Sequence, residues 1–424
     1  MFRLTKTTAC ALVALASAST FMSATASADD WWKDVKFSGY VEGGFNTTPG
    51  TTKTQSPLIF GRLFDDRNDR LQLNQAVLTL ERAIDSKKDY DVGFKLQGMY
   101  GTDARYTHFL GEFDKATSAR EQFDVVEAWL NFHTPWLAKG GTDIKVGQYV
   151  TLEGAETIDP RTNFFYSHSY IFNFGIPLKH TGILAVTHAT DELDLYYGVD
   201  TGVNTTFGHG TGTPTDSPLS FHGGFGLNLL KGDLTVLATT HIGDVLPDSG
   251  TPGFFFKNVD TRYLNDVTIV YKATKELTLT ADINYIYDAT KAFGPTGQST
   301  ADGGGVALYA AYQLNDNLAF GLRGEWFRDS QGAFVGAFPG NTDFVNSEIG
   351  LANTSFVTNK GTDYFAITAG ANITPTVPKD FEGLKIRPEV RWDHSSDVAV
   401  YKSGTSKDQA TIGVDVIVPF ALSH

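Results

Sequence analysis

Beyond residue 28 the chain has no cysteine. Its single Cys10 lies in an N-terminal apolar segment, so no disulfide framework, thiolate chemistry or cysteine-held metal is available to the rest. Methionine is almost as scarce, three in 424 residues with two of them before residue 28. No later stretch reaches the ~18 apolar residues that a spanning helix needs, which excludes a helical membrane protein. Neither G-x-S-x-G nor H-E-x-x-H occurs. His108 in RYTH and His168 in YSHSY lie near acids, as loop histidines here commonly do, and we expect no enzyme. Cations are also in deficit: 34 Lys and Arg stand against 48 Asp and Glu. That balance argues against nucleic acid as a partner.

The N-terminus shows where the chain is sent. Arg3 and Lys6 precede the apolar run ACALVALASASTFMSA, and Ala26-Ser27-Ala28 forms an A-x-A cleavage site, so residues 1–28 read as a secretory signal peptide. Its removal takes two cations and leaves 32 against 48 acids, a net charge of −16. Residues 29–424 then form one unit, with 43 Gly in the whole chain, 31 Phe and 17 Tyr pointing to strands and turns. Only DDWWKD precedes the first strand, so we expect no plug domain ahead of it.

Alternation by two recurs about sixteen times. In Leu277 to Asp288, LTLTADINYIYD, the residues Leu277, Leu279, Ala281, Ile283 and Tyr285 share one parity and Thr278, Thr280, Asp282 and Asn284 the other. In Leu384 to His394, Leu384, Ile386, Pro388, Val390 and Trp392 face away from Lys385, Arg387, Glu389, Arg391 and Asp393. Each segment is about the ~9–11 residues that a tilted strand needs to cross a bilayer. Short turns (Thr190 to Glu192, Lys231-Gly232, Ala273 to Lys275, Asn315 to Asn317) interleave with long connections (Gly202 to Ser220, Gly243 to Asn258, Asp288 to Gly303, Asp329 to Asp363). Across each short turn the apolar parity stays on one face of a continuous sheet. The fold is an all-β transmembrane up-and-down antiparallel barrel of about sixteen strands, range fourteen to eighteen, since Leu71 to Arg82 shifts phase midway and Val259 to Lys272 is less regular. Its charged face, including Glu42, Glu127, Asp282, Glu325 and Asp393, is expected to meet a water-filled lumen. Tyr263, Tyr271, Tyr285, Tyr287, Trp326, Trp392 and Phe420 suit interfacial girdles.

The segments KFSGYVEGGF, LNQAVLTLERA, DYDVGFKLQGMYGTDARYTHFLGE, VVEAWLNFHTPWL, DIKVGQY and SHSYIFNFGIPLKHTGILAVTH, spanning roughly Lys36 to His188, resemble the outer-membrane β-barrel porin family described as OmpL-like. The resemblance implies an outer-membrane barrel with pore activity and supplies no catalytic residues; likeness to general porins implies a homotrimer. Ala421 to His424 follow Phe420, where many barrels end on an aromatic.

Residues 150–179, VTLEGAETIDPRTNFFYSHSYIFNFGIPLK, stand where general porins fold a loop inward. Glu153, Glu156, Asp159 and Arg161 are the expected constriction, opposite a wall bearing Lys95, Arg323, Arg387 and Arg391, so that a transverse field would screen ions. The run FFYSHSYIFNF predicts a loop that packs. Register sets His222 opposite His241 on the lumen side and His188 opposite Asp194. Such pairs could hold a metal or titrate near pH 6, but we expect them solvated, and assign neither metal nor cofactor. The sequence thus predicts an outer-membrane passive diffusion channel for small hydrophilic solutes or ions, in contact with lipid. The alternative is a barrel that is not a channel: adhesive, structural or hydrolytic.

Overall fold

Side chains that alternate between greasy and polar require a sheet with two different surroundings, and the chain closes such a sheet on itself. The computed structural model describes residues 31–422 apart from 52, 53, 55, 111, 114, 115, 207–219, 244–258, 294–297 and 349–351. The expected signal segment, and most of the long connections after Gly202 and after Gly243, lie outside the described residues. Among those described, sixteen strands form one antiparallel barrel: β1 (Lys36–Thr47), β2 (Arg70–Arg82), β3 (Asp91–Gly101), β4 (Gln122–Thr134), β5 (Thr142–Val150), β6 (Lys179–His188), β7 (Leu193–Asp200) and β8 (Ser220–Leu229). They continue as β9 (Leu234–Gly243), β10 (Val259–Lys272), β11 (Leu277–Phe293), β12 (Gln298–Asn315), β13 (Leu318–Asp329), β14 (Thr362–Ile373), β15 (Lys385–Ser395) and β16 (Asp408–Leu422). Pairing of β1 with β16, Phe37 against Leu422 through Thr47 against Ile412, closes the ring.

Apolar stripes face outward all the way round. Leu71, Leu78, Leu96, Leu308, Leu322, Ile367 and Val390 are each more than half exposed, a cost in water and a gain in lipid. Tyr263 and Tyr287 are cross-strand partners at one rim, as are Tyr312 and Phe320 at the other, so aromatics belt both ends. The hairpin β11–β12 departs from expectation: its strands run on to Phe293 and from Gln298 where a loop from Asp288 to Gly303 was foreseen. The Lys231-Gly232 turn is longer than foreseen, since Leu229 pairs with Leu234, but the count stays even and the phase holds.

The phase shift within β2 has a local cause. Glu42 faces Gln75 and Gly43 faces Leu73, so Asn74 is an extra residue in a β-bulge, and the outward parity switches from Leu71 and Leu73 to Ala76 and Leu78. Asn74 is left pointing inward. There it donates to the Phe64 carbonyl and to Asp103 Oδ1, both at 3.0 Å, tying two external loops to the wall.

The lumen differs from the expectation of water against a charged wall. Glu42, Glu127, Asp282, Glu325 and Asp393 are all buried, because several long loops fold inward rather than one. Leu63 and Phe64 from the β1–β2 loop, Tyr106 from the β3–β4 loop, Ile158, Phe172 and Leu178 from residues 151–178, and Phe338 from the β13–β14 loop form one apolar cluster inside the barrel. Apolar burial holds these loops to one another, and ion pairs hold them to the wall.

Candidate functional site

Residues 151–178 connect β5 to β6 with one regular element, a π-turn at Ile171–Gly175, so most of their backbone polar groups must find partners elsewhere. The lumen-facing side chains supply them. Gly154 and Ala155 N–H donate to Asp266 Oδ1 and Asp282 Oδ2 on β10 and β11, each at 3.0 Å. Gln75 on β2 donates to the Ile158 carbonyl at 2.9 Å, and Arg387 on β15 donates to the Pro160 and Asn163 carbonyls, also at 2.9 Å. Returning, Tyr166 and Ser167 N–H bond Glu389, the Ser167 and His168 carbonyls accept from Arg323 and Arg391, and Tyr170 N–H bonds Glu325. Asn284 on β11 takes the Gly175 carbonyl at 2.6 Å. The segment therefore leaves β5, touches β10 and β11, reaches β2 and β15, and returns past β13: it crosses the lumen.

The aromatic triplet of this segment has a seat made of absent side chains. A Cβ on Gly321 of β13 would overlap the Phe164 ring, and one on Gly44 of β1 would overlap Tyr166. On Gly370 of β14 and Gly413 of β16 it would lie 3.3 Å from Phe165 and 3.4 Å from Tyr166. All four glycines have lumen parity. Sequence analysis missed them among 43 glycines, although glycine inside a strand signals close approach of another group.

The expected constriction residues separate into three environments. Glu156 receives Arg323 Nη1 at 2.7 Å, Tyr309 OH at 3.0 Å, His168 Nδ1 at 3.0 Å and Ser169 N–H at 2.9 Å. Burial alone would raise its carboxyl, but the Arg323 guanidinium, the His168 ring and the Ser169 N–H prevail and bring it down to about 2. Glu153 faces none of the arginines: burial, then the charges of Asp266 and Asp200, push it well above the ordinary carboxylate value. Asp159 pairs with its own neighbour Arg161 at 2.6 Å, side chains 29% and 37% exposed, and the guanidinium lies 4.4 Å over the Tyr40 ring. On the wall, Arg323, Arg387 and Arg391 are buried and ion-paired, Arg387 with Asp415 at 2.6 Å and Glu42 at 3.1 Å, and Arg391 with Asp393 at 2.8 Å and Glu325 at 3.1 Å. Lys95 pairs with Glu127 at 2.5 Å instead. Of the acids and bases expected to face each other across water, Glu156 and Arg323 touch.

The histidine registers are as expected, His222 opposite His241 and His188 opposite Asp194, but His222 and His241 are 6% and 1% exposed rather than solvated. Sequence analysis also missed their neighbours His180 and Asp200.

A closed sixteen-strand barrel, greasy outside and crossed by an inward loop, defines the class of outer-membrane porins. The chain belongs to the family described as "Putative beta-barrel porin-2, OmpL-like", whose model matches residues 34–420. It is a channel of the outer membrane. Among solved structures it is similar to an anion-selective porin from Comamonas acidovorans, at 11% identity and TM-score 0.57 over 92% of this chain and 99% of that one. It is similar to Pseudomonas putida OprB at 12% identity and TM-score 0.55 over 92% and 94%, and to a trimer form of Vibrio cholerae OmpT at 10% and 0.52 over 91% and 99%. No curated relative matches by sequence.

Proposed function

We propose that this porin passes small hydrophilic solutes and ions by passive diffusion, and that residues 151–178 set the limit on what passes. The observation that carries this reading is the crossing itself: one segment hydrogen-bonded to β2, β10, β11, β13 and β15 occludes much of a sixteen-strand lumen. Glu156, Arg323, Arg387 and Arg391 hold the segment in place, while Asp159 and Arg161 offer charge to passing ions. Lys95, outside the clamp, is paired with Glu127 but stays partly exposed. Selection then rests on width and on the small set of charges that remain partly exposed. Residues 1–28 direct export and are removed, the apolar belt contacts lipid, and the chain assembles as a homotrimer, a reading supported by its likeness to a trimeric barrel. There is no reaction to catalyse.

Single-channel recording of the refolded chain from Asp29 in a planar bilayer, under a salt gradient, tests this. Discrete conductance steps and a non-zero reversal potential are expected. A silent bilayer with folded β-structure by circular dichroism would overturn the channel reading in favour of a sealed adhesive barrel.

A further inference from the structure

On the opposite side of the lumen from the arginines, four adjacent strands bring three histidines and one aspartate to one level. Asp200 at the end of β7 places Oδ2 at 3.4 Å from His180 Nδ1 on β6, 3.3 Å from His222 Nδ1 on β8 and 3.1 Å from His241 Nε2 on β9. All four residues are at most 6% exposed. The ligand atoms of His180, Asp200 and His222 lie within 4.8 Å of one another. Four ligands around zinc at ~2.0–2.2 Å would stand roughly 3.3–3.6 Å apart along the edges of the tetrahedron, which the two Asp200 to Nδ1 spacings already approach.

Two further features point to a cation. First, the far nitrogens of two rings are held: His180 Nε2 lies 3.1 Å from Thr151 Oγ1, and His222 Nε2 lies 3.3 Å from the Tyr149 hydroxyl. Each oxygen can accept an Nε2–H, which leaves both Nδ1 lone pairs turned toward Asp200, the usual outer support of a metal-bound imidazole. Second, the buried Glu153 carboxylate has no hydrogen-bond partner on either oxygen, and it lines, with His180 and His222, a cavity of about 10 Å3. His180 Nδ1 also lacks a hydrogen-bond partner. A carboxyl group bonded on neither oxygen, beside two imidazoles whose Nδ1 atoms face Asp200, is a poor arrangement for an empty interior.

We propose that His180 Nδ1, His222 Nδ1 and Asp200 Oδ2 bind a divalent transition ion of the zinc class, with His241 steering Asp200 or completing the shell and Glu153 supplying the second negative charge. Nitrogen ligands select zinc, nickel or copper over calcium and magnesium, which prefer all-oxygen shells. The ion ties β6, β7 and β8 together, and through Thr151 it fixes the root of the crossing loop. This inference does not depend on which solute the channel passes.

The test uses the refolded chain from Asp29 without an affinity tag, stripped with a chelator in detergent and then titrated separately with Zn2+ and Co2+. One equivalent of bound metal is expected, with the intense visible bands of tetrahedral cobalt. His180→Ala and His222→Ala should each weaken zinc binding roughly 100-fold or more, while His188→Ala, in the separate pair at the short-turn rim, should not. Heat-modifiable mobility on a gel confirms that each variant is folded. Should His222→Ala fail to fold, the unaltered chain still decides: less than half an equivalent of zinc, or only the weak bands of octahedral cobalt, overturns the site. Undiminished binding by folded His222→Ala overturns it as well.

Discussion

Two walls of the same lumen take charged groups out of water, and they do so by opposite means. On the β13–β15 wall Arg323, Arg387 and Arg391 each meet carboxylates and loop carbonyls: Arg391 alone joins Asp393, Glu325 and the His168 carbonyl. On the β6–β9 wall Asp200 meets three imidazoles, and Glu153 nearby meets no donor at all. The first wall pairs cation with anion throughout and holds the segment. The second has acceptors in excess, and can bind. The difference teaches that burial of charge marks a clamp where partners balance and a candidate ligand site where they do not.

Breaking the balanced wall should have the largest effect. Arg391→Ala leaves Glu325 and Asp393 buried with fewer partners and releases the His168 carbonyl, a loss of about 3–5 kcal/mol for a buried pair. The urea midpoint of the barrel in micelles should fall, and its conductance should rise as the crossing segment comes loose. An unchanged midpoint with unchanged conductance would mean that the segment is held elsewhere.

The next effect depends on pH. Glu156 is lowered from an ordinary 4.5 to about 2, so its contribution is fully present above about 4.5 and is lost as pH falls through about 2. That span corresponds to roughly 3 kcal/mol. Glu156→Gln should therefore unfold at lower urea than the parent at pH 7, and the gap should narrow below about pH 4 and close near pH 2. A gap of the same size at pH 7 and pH 2.5 would show that the side chain acts by packing rather than by its charge.

How much of this was written in the sequence follows from how local each signal is. Barrel and register were legible because a two-residue period and an even or odd turn count are local patterns: Leu277 to Asp288 reads correctly on its own, and its Leu279, Ile283 and Tyr285 do face outward. The fate of the inward charges was not, because it depends on contacts such as Arg62 with Asp393 across 331 positions. Nor was the β2 bulge, visible as a phase error whose inward residue Asn74 turned out to hold two loops. The aromatic run was correctly read as packing, but its glycine seat lies on four strands that only the fold assembles. His180 escaped notice because pairing across one turn finds only His222 and His241.

That seat gives a smaller effect, and one independent of charge. Gly321→Val would drive side-chain atoms into Phe164, for about 1–3 kcal/mol of overpacking. The ring must move, and the crossing segment with it. Liposome swelling with sugars of increasing size should show a changed exclusion limit while the zinc affinity proposed for the far wall stays as it was. A variant that altered zinc binding and left the limit unchanged would couple the two walls in a way these contacts do not provide.

The smallest effect on stability should come from Asp159→Asn, and it separates holding from selecting. The Asp159–Arg161 pair is partly exposed, and such pairs contribute at most about 1 kcal/mol, so the urea midpoint should barely move. The substitution nevertheless leaves Arg161 with its full charge beside β1, 4.4 Å over Tyr40. Reversal potentials under a salt gradient should shift toward anions. Arg391→Ala should do the converse, altering stability far more than the preference of each passing ion, because the carboxylates it leaves behind are buried, whereas Arg161 is partly exposed. If Asp159→Asn leaves the reversal potential unchanged, ions do not pass Arg161, and their path must be sought along the opposite, β6–β9 wall.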